Sequence, residues 1–569
     1  MATLVAPVAL FLVLAVAFTW PLGMSFGSAL AAGKNPSDAL LHVHRLWFVP
    51  RMLAAGQNPY AWTNLLLYPE GTSQYLETLI PIAGLLGWPA LAIGGSIVGF
   101  NVVTLLLLTL NGLSAWLLVR DRTRDRYAAT VAGIAYAFSP YLLAHLRSGH
   151  LNLVTAFWPP MFLLCFLRAL QGGEHRWRWA LAAGVCLSGS CYTDLQWTLG
   201  LAIVVVALLA WRLLRGNADE RVSALKQGGL AIGVAILLSL PLLLGIWRDS
   251  QAEGVAPGAN QARRNSASLF AFLAPQPAQP LWRTAVGEWY AENGLDEGDE
   301  QTVALGYVAL ALAAAGLVTA STRRWGWLCG MLLFAALALG PELHLIGRER
   351  VTDLPLNLPM PYALLEQVPL VGLGRAPARF AAPATLCLAV LAAYGVVAIR
   401  RRLERFPSAS ERAPRIAGAA CAALLAFELF SAPFPLAWPS TPPIYQALAA
   451  RGCHGPLLEL PVEPDSAREK ERLYFQVSHG CPISGGYVSR NQDETELQRS
   501  WQAALESGSA ESAASLRESP EMADFADIVL WREAYRDEEE LRREEQLLRD
   551  LLVRPPWYEG EDGVIFSLR

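Results

Sequence analysis

Charged residues are scarce in this chain, and its arginines never gather into one long basic stripe. Only 17% of the 569 residues are charged, whereas 53% are hydrophobic, and the mean hydropathy is +0.31. The net charge of -4, with the arginines spread over short separate loops, excludes the electrostatic surface of a nucleic-acid-binding protein. The abundance of apolar sequence instead predicts a multi-pass membrane protein, since about 20 consecutive apolar residues span the hydrocarbon core as a helix.

The loops between the apolar segments alternate in character. Every second loop is rich in arginine, as in 120–126 and 400–405. Clustered Lys and Arg mark the cytoplasmic side, so the intervening loops are predicted to face outward. About eleven spans satisfy this rule at every turn and leave the C-terminus outside. They are Leu4–Met24 as an uncleaved anchor, Ile97–Val119, Ala128–Leu146, Leu153–Leu170, two helices within Trp179–Trp211, Leu230–Trp247, Val303–Ala320, Trp327–Ile346, Phe380–Ile399 and Ile416–Trp438.

Two apolar segments depart from the simple pattern of one run for one span. The run Leu79–Ile93 is interrupted by Gly and Pro, and the charge bias places it in or on the outer interface. The segment Trp179–Trp211 is too long for a single span, so it is predicted to form two helices hinged near Ser190–Asp194.

The composition changes sharply after the last predicted span. Residues 1–438 are predicted to form an all-α polytopic domain with a long first external loop at about 25–80, whereas 439–569 are rich in charge and lack a run of span length. We therefore expect a small extracytoplasmic α/β domain at the C-terminus. Its predicted strands are Leu457–Leu460, Ile528–Trp531 and Val564–Leu568, and its predicted helix is Asp537–Leu552.

Cysteine is sparse, with eight residues in the whole chain. Most of them lie inside or beside the predicted spans, where small apolar packing is the expected role. Cys453 and Cys481 both fall in the predicted external domain, where an oxidising compartment would permit a disulfide; two free thiols are the alternative.

An acidic residue opens a helical pattern in the first external loop. Asn35, Ser37 and Asp38 have the form of a helix start, where an acidic side chain in the first turn complements the helix dipole. The functional alternative is a catalytic carboxylate held just above the membrane. His42 and His44 follow, but the spacing D-x3-H-x-H matches no strong metal signature. No metal ligand is therefore assigned, and a divalent cation stays an open alternative.

A second outward-facing cluster lies at the predicted turn between two spans and contains His145, His150 and Asn152. Two histidines this close could bind a ligand or donate hydrogen bonds, and the alternative is a pair that only caps helix ends. Tyr192 and Asp194 lie at the predicted hinge, where Asp194 could bind substrate or simply extend toward the interface.

Two arginines, Arg375 and Arg379, lie just outside a predicted span and four positions apart, so they share a face if the segment is helical. Two guanidinium groups at that depth suit a lipid phosphate. The alternative is an arginine pair that anchors the helix among lipid headgroups.

These groups together suggest a reaction at the outer face. No nucleotide-sugar pool exists there, so a sugar donor is expected to be carried by the membrane as a polyprenyl phosphate. Inverting transfer to an acceptor hydroxyl needs one general base and stabilisation of the departing phosphate charge. Asp38 is the candidate base, Arg375 and Arg379 with the two histidines are the candidate donor site, and Asn152, Tyr192 and Asp194 are candidates for binding substrate.

The order of five motifs resembles that in the bacterial membrane glycosyltransferases of the GT-C fold, relatives of the dolichyl-phosphate-mannose-dependent mannosyltransferases. The motifs are the acidic first loop, G-x-N-P and Y-P-x-G at 56–59 and 68–71, S-P-Y-x3-H-x4-H-x-N at 139–152, and R-x-P-x-R-F at 375–380. The resemblance implies a lipid-linked sugar donor, an inverting mechanism and a catalytic carboxylate at Asp38. Many such enzymes have paired acids in this loop, whereas Asp38 is followed by Ala39.

The sequence therefore predicts a glycosyltransferase of the inner membrane, with a lipid, glycan or protein as acceptor and membrane lipids as neighbours. A transporter or flippase for a lipid-linked saccharide is one alternative, although the ionisable residues gather at the outer ends of the helices and not near the midplane. A non-catalytic assembly factor that presents the C-terminal domain to partners is the other.

Overall fold

The computed structural model describes residues 2–33, 35–251, 259–292, 300–318, 322–345, 360–368, 374, 376–405, 410–462, 466–489, 495–552 and 554–568. The chain forms two compact units that alternate along the sequence. The first unit contains residues 1–34, 101–243 and 256–437, and the second unit contains 35–100, 244–255 and 438–569. The predicted first external loop thus groups with the C-terminal segment, whereas composition alone divides the chain at 438.

Helices account for most of the elements. They are α1 Ala2–Phe18, α2 Ser37–Ala54, α3 Pro81–Thr123, α4 Arg126–Ala137, α5 Pro140–Arg147, α6 Leu151–Val154, α7 Trp158–Gln171, α8 Arg176–Cys191, α9 Leu195–Arg215, α10 Ala218–Asp249, α11 Ala259–Arg264, α12 Arg283–Glu292, α13 Tyr307–Val318, α14 Thr322–Ala338, α15 Pro361–Leu365, α16 Ala381–Glu404, α17 Ala413–Leu429, α18 Pro443–Arg451, α19 Ser466–His479, α20 Glu496–Ser507, α21 Ala510–Arg517 and α22 Glu538–Leu551. The strands are β1 Trp62–Thr63, β2 Thr72–Ser73, β3 Leu457–Leu460, β4 Asp527–Trp531, β5 Tyr558–Gly560 and β6 Gly563–Ser567.

The described residues contain six helical segments that are long and apolar enough to cross a membrane, and three shorter apolar helices. The six are Pro81–Thr123, Arg126–Arg147, Leu151–Gln171, Leu195–Arg215, Ala218–Asp249 and Pro377–Glu404; the shorter three are Leu4–Phe18, Tyr307–Val318 and Arg324–Ala338. The chain is therefore a multi-pass membrane protein. Apolar helices of this length can span the bilayer because their backbone N–H and C=O groups form hydrogen bonds within the helix. The count of eleven crossings stays a prediction.

The predicted hinge within Trp179–Trp211 is confirmed. Helix α8 ends at Cys191 and α9 begins at Leu195, and the Asp194 carboxylate caps α9 by accepting a hydrogen bond from the backbone N–H of Gln196 at 2.8 Å. A similar break interrupts α3 at Gly95, where φ is +83°, a conformation that glycine adopts without strain. This break separates the weaker apolar run from the segment predicted to cross.

Helix α16 lies at the centre of the first unit. Most of its residues are buried, and it packs against α4, α13, α14 and α17. Close approach to α13 depends on Gly395, because a Cβ atom there would collide with the backbone carbonyl of Leu312. Small residues at such crossings let helices in membranes pack through van der Waals contact.

The second unit contains a four-stranded sheet in the order β3-β4-β6-β5. Strands β3 and β4 are parallel, whereas β6 pairs antiparallel with both β4 and β5. Every residue of β3 and β4 is buried, and the sheet packs on a hydrophobic core that includes Trp501, Phe525 and Leu548. The three strands and the helix predicted for 439–569 are present at the predicted positions.

Backbone hydrogen bonds within the second unit connect the first loop to the C-terminal segment. The N–H groups of Leu67 and Tyr68 donate to the carbonyls of Gly485 and Ile483, each at 3.0 Å. Buried backbone groups need such partners, which is why this polar loop folds against the C-terminal segment. Cys453 and Cys481 form a disulfide in the same unit and are not two free thiols.

Candidate functional site

Asp38 is the second residue of α2 and belongs to the second unit. The helix begins after Pro36, and no side chain caps it, so Asp38 is not a capping residue. Its Oδ1 atom accepts a hydrogen bond from the ammonium group of Lys470 at 2.7 Å, and its side chain is 30% exposed. Asp38 is therefore a partly buried carboxylate with its negative charge compensated by a cation from α19.

Lys470 is more buried than its partner, with a side chain only 10% exposed. Its Nζ atom also lies 4.3 Å from the centroid of the Tyr487 ring. A cation over an aromatic face is attracted by the ring quadrupole. The ammonium group thus contacts a carboxylate and a ring, and these two contacts hold it in one place.

His44 lies farther along α2 and is not a candidate ligand. Its Nε2 atom lies 2.9 Å from Oε1 of Gln476 on α19, and the ring is buried. Burial lowers the pKa of His44 to about 3, with a smaller contribution from Arg45 and an opposing one from the Gln476 hydrogen bond. At neutral pH this ring is therefore an uncharged donor that links two helices.

A polar cluster occupies the first unit around the start of α9. Nδ2 of Asn152 donates to Oδ2 of Asp194 at 2.8 Å, and Nη1 of Arg379 lies 3.6 Å from the same oxygen. Nε of Arg379 donates to Oε1 of Glu300 at 3.2 Å. Three of the predicted substrate and donor residues, Asn152, Asp194 and Arg379, are therefore neighbours. Glu300 is an additional member that the sequence did not indicate.

The two predicted histidines also meet. Nδ1 of His145 and Nδ1 of His150 are 3.0 Å apart, so one ring must donate and the other accept. His145 is fully buried, and the ring of Tyr141 meets it edge-on with centroids 4.3 Å apart. The histidine pair and the Arg379 cluster belong to the same unit.

The hydroxyl group of Tyr192 makes a hydrogen bond outside this cluster. The hydroxyl of Tyr192 donates to the backbone carbonyl of Leu238 on α10 at 3.1 Å, so this side chain is directed to a neighbouring helix. Arg375 lies outside the described residues. Among the residues that the structure describes, no three His, Cys, Asp or Glu side chains come together as metal ligands.

Sequence reasoning missed the partners of both candidate groups, Lys470 for Asp38 and Glu300 for Arg379. Lys470 lies 432 positions from Asp38, and Glu300 lies 79 positions from Arg379. No local pattern marks either residue, because the pairing depends on how distant segments fold together. The charge of Lys470 is also unremarkable in a helix that contains several arginines and glutamates.

A buried charge network lies on the same helix as Lys470. Arg472 on α19 is completely buried and pairs through Nη1 with Glu469, which also accepts the backbone N–H of Gly486. Glu459 on β3 is buried beside them and accepts a hydrogen bond from the hydroxyl of Tyr445 at 2.9 Å. Burial raises the pKa of Glu459 to about 7, although Arg472 opposes this shift. These buried charged groups lie where α19 meets β3, and Arg472 on α19 is the cation that compensates the nearby acids.

We expect the second unit to lose stability as the pH rises from about 4 to 7, because the pKa of Glu459 is about 7 in the fold and about 4.3 in an unfolded chain. A carboxyl whose pKa is raised by folding stabilises the fold below its unfolded pKa, and this contribution is lost as the pH rises through the folded pKa. Glu459→Gln stays neutral and keeps an acceptor for Tyr445, so it should flatten the pH dependence of the thermal midpoint. Glu538→Gln, at a side chain 83% exposed, should retain the wild-type pH dependence. An unchanged slope in Glu459→Gln would contradict the assignment.

Comparison with known proteins identifies a family and a fold. A model of the family described as "Domain of unknown function (DUF6311)" matches residues 51–426. No curated protein matches the chain.

Several solved structures are similar to it at low identity. Arabinofuranosyltransferase AftD from mycobacteria is 17% identical in sequence, with a TM-score of 0.57. The match covers 100% of this chain and 40% of the AftD chain. The Archaeoglobus fulgidus oligosaccharyltransferase, tethered with an acceptor peptide containing the NVT sequon, is 13% identical in sequence, with a TM-score of 0.51. The match covers 93% of this chain and 69% of the oligosaccharyltransferase chain. The chain thus spans about two fifths of AftD. These likenesses show that the fold is that of the GT-C glycosyltransferases, as the motif order implied.

Proposed function

The chain belongs to the DUF6311 family, and we propose that it is a membrane glycosyltransferase that moves a sugar from a polyprenyl-phosphate carrier to an acceptor hydroxyl. The observation that carries this proposal is a carboxylate in the first turn of the first-loop helix, Asp38, paired with Lys470 within a GT-C fold. AftD and the oligosaccharyltransferase, which share that fold, are glycosyl-transferring enzymes by name. A closer relation to dolichyl-phosphate-mannose-dependent enzymes is part of the proposal. A fold alone does not fix the chemistry, so the site residues must support it.

The reaction is proposed to occur on the outer face of the inner membrane. The alternation of arginine-rich loops supports this orientation for the first loop and the C-terminal segment. The disulfide between Cys453 and Cys481 is a second support, because such bonds persist in oxidising compartments and are rare in the cytosol. A donor carried by a membrane lipid is available at that face.

In the proposed step, Asp38 removes the proton of the acceptor hydroxyl as its oxygen attacks the anomeric carbon of the donor sugar. The bond between that carbon and the phosphate oxygen breaks, and its electron pair leaves with the polyprenyl phosphate. Attack opposite the leaving group inverts the anomeric configuration. A positioned base contributes about 10²–10⁴-fold to such a reaction.

The departing phosphate is assigned to Arg379 with Arg375, and the histidine pair His145 and His150 is assigned to the same donor. Arg379 contacts two carboxylates through Nη1 and Nε, and a guanidinium has five N–H donors in all. The contacts to Asp194 and Glu300 orient this planar group, which recognises phosphate better than a flexible ammonium does. Asn152, Asp194 and Tyr192 are assigned to substrate binding.

The direct test is a transfer assay with full-length protein in proteoliposomes. The donors are undecaprenyl-phosphate-linked mannose, glucose and arabinofuranose, each radiolabelled in the sugar, and the acceptors are a membrane lipid and glycan extract. We expect label from at least one donor to appear in a product that is no longer attached to undecaprenyl phosphate, together with free undecaprenyl phosphate. Liposomes without protein are the control.

The same preparation distinguishes the alternatives. Movement of intact labelled donor between leaflets, with no transfer of the sugar, would indicate a flippase and overturn the proposal. Absence of both transfer and movement with every donor would count against the proposal and favour a non-catalytic assembly factor.

A further inference from the structure

We propose that Lys470 is the positioning residue for the Asp38 carboxylate, so that the segment after the last span completes a catalytic site that begins in the first loop. This inference rests on the function proposed above and deepens it. Its basis is the direct contact of Lys470 Nζ with Asp38 Oδ1 at 2.7 Å. Both residues belong to the second unit.

The environment of Lys470 favours positioning over donor binding. Its side chain is only 10% exposed, and its ammonium group lies between the Asp38 carboxylate and the face of the Tyr487 ring at 4.3 Å. Little of its surface is available to a bulky lipid phosphate. A cation held on two sides can instead fix the direction in which the carboxylate points.

The two helices that carry the pair are held in register by a second contact. His44 on α2 and Gln476 on α19 form a buried hydrogen bond of 2.9 Å. His44 lies six positions after Asp38, and Gln476 lies six positions after Lys470. Equal spacing on both helices means that α2 and α19 run parallel along this contact. The Gln476 amide also donates to the carbonyl of Leu65 at 2.7 Å, which ties the following loop to α19. The position of Lys470 relative to Asp38 is therefore set by the fold.

Two effects of Lys470 oppose each other, and their sizes decide the outcome. The ammonium group stabilises the charged form of the carboxylate and so weakens it as a base. A hydrogen bond between charged groups corresponds to about 10–150-fold in an equilibrium constant, but Brønsted behaviour passes only part of such a change to the rate. Misplacement of a catalytic group by 1 Å can cost about 100-fold in rate. Loss of Lys470 is therefore expected to slow the reaction, because the positional effect is the larger.

The test compares three variants in the transfer assay, using whichever of the three undecaprenyl-phosphate-linked sugars gives turnover. Lys470→Met should lower kcat about 10–100-fold and change the KM for the donor less than about threefold, since a positioning group acts on the transition state. Lys470→Arg restores a cation beside Asp38 and should recover most of the rate. Arg468→Met is the matched control, because Arg468 lies on the same helix, pairs with Glu471 and contacts the Trp531 ring. It should leave kcat unchanged.

A second measurement does not depend on turnover. The thermal midpoints of Asp38→Asn, Lys470→Met and the double variant should be non-additive, with the double variant destabilised less than the sum. Additive effects would overturn the ion pair and this inference while leaving the proposed function intact. The inference is also overturned if Lys470→Met raises the donor KM at unchanged kcat, or if it behaves like Arg468→Met. Absence of transfer by the wild type with every donor would instead refute the proposed function itself.

Discussion

Asp38→Asn is expected to lower sugar transfer by about 10²–10⁴-fold, the contribution of a positioned general base. Asparagine has nearly the same shape as aspartate, but its amide cannot accept a proton at neutral pH. The loss should appear in kcat with the donor KM little changed, because proton transfer occurs in the transition state. The measurement is the initial rate of label transfer by the purified full-length variant at saturating donor.

Glu70→Gln is the matched control for this variant. Glu70 lies in the same loop, carries the same charge and is exposed, and its side chain accepts the backbone N–H of Glu496 at 2.8 Å, which glutamine can also do. Transfer by Glu70→Gln should stay within about twofold of wild type, as expected for a surface change away from the site. If the transfer rate of Asp38→Asn also stays within about twofold of the wild-type rate, Asp38 is not the base.

Arg472→Met is expected to destabilise the second unit by about 3–5 kcal/mol. Arg472 is completely buried, pairs with Glu469 and donates through Nη2 to the carbonyl of Pro461 at 2.6 Å. The substitution leaves Glu469 and the nearby Glu459 as buried acids without their cation, and an uncompensated buried charge is costly. The measurement is the thermal or urea-induced transition of the full-length protein, followed by the fluorescence of its tryptophans.

Arg542→Met provides the comparison on an exposed helix. Arg542 pairs with Glu538 on α22, and the two side chains are 77% and 83% exposed. Exposed pairs one helical turn apart contribute about 0.3–0.5 kcal/mol. A similar small loss in both variants would mean that the Arg472 network does not hold α19 in place.

The elements with a strong local pattern could be predicted from the sequence. The predicted hinge at Ser190–Asp194 is a helix boundary because the apolar run Trp179–Trp211 is longer than one span and contains Asp194, which caps a new helix. The strands β3, β4 and β6 follow short apolar runs in a charged segment. Each of these signals depends on residues that are neighbours in the chain, so composition and periodicity suffice.

The grouping of the chain and the environment of the candidate base depend on distant residues. Asp38 can be recognised from its position in a polar loop, but nothing near it indicates that its partner is Lys470. In the same way, the arginine motif indicates Arg379, whereas its pairing with Glu300 follows from packing of the first unit. Tertiary contacts of this kind leave no periodic trace in the sequence.

The distance in sequence between Asp38 and its cation has a consequence for biosynthesis. Lys470 is synthesised 432 positions after Asp38, which takes roughly 20–90 s at ribosomal rates of about 5–20 residues per second. Throughout that interval the emerging first loop lacks the helix that pairs with it, although the intervening membrane segments can already insert. A nascent chain released before Lys470 is made would therefore carry an acid without its companion charge, and the pair can form only after α19 has been synthesised.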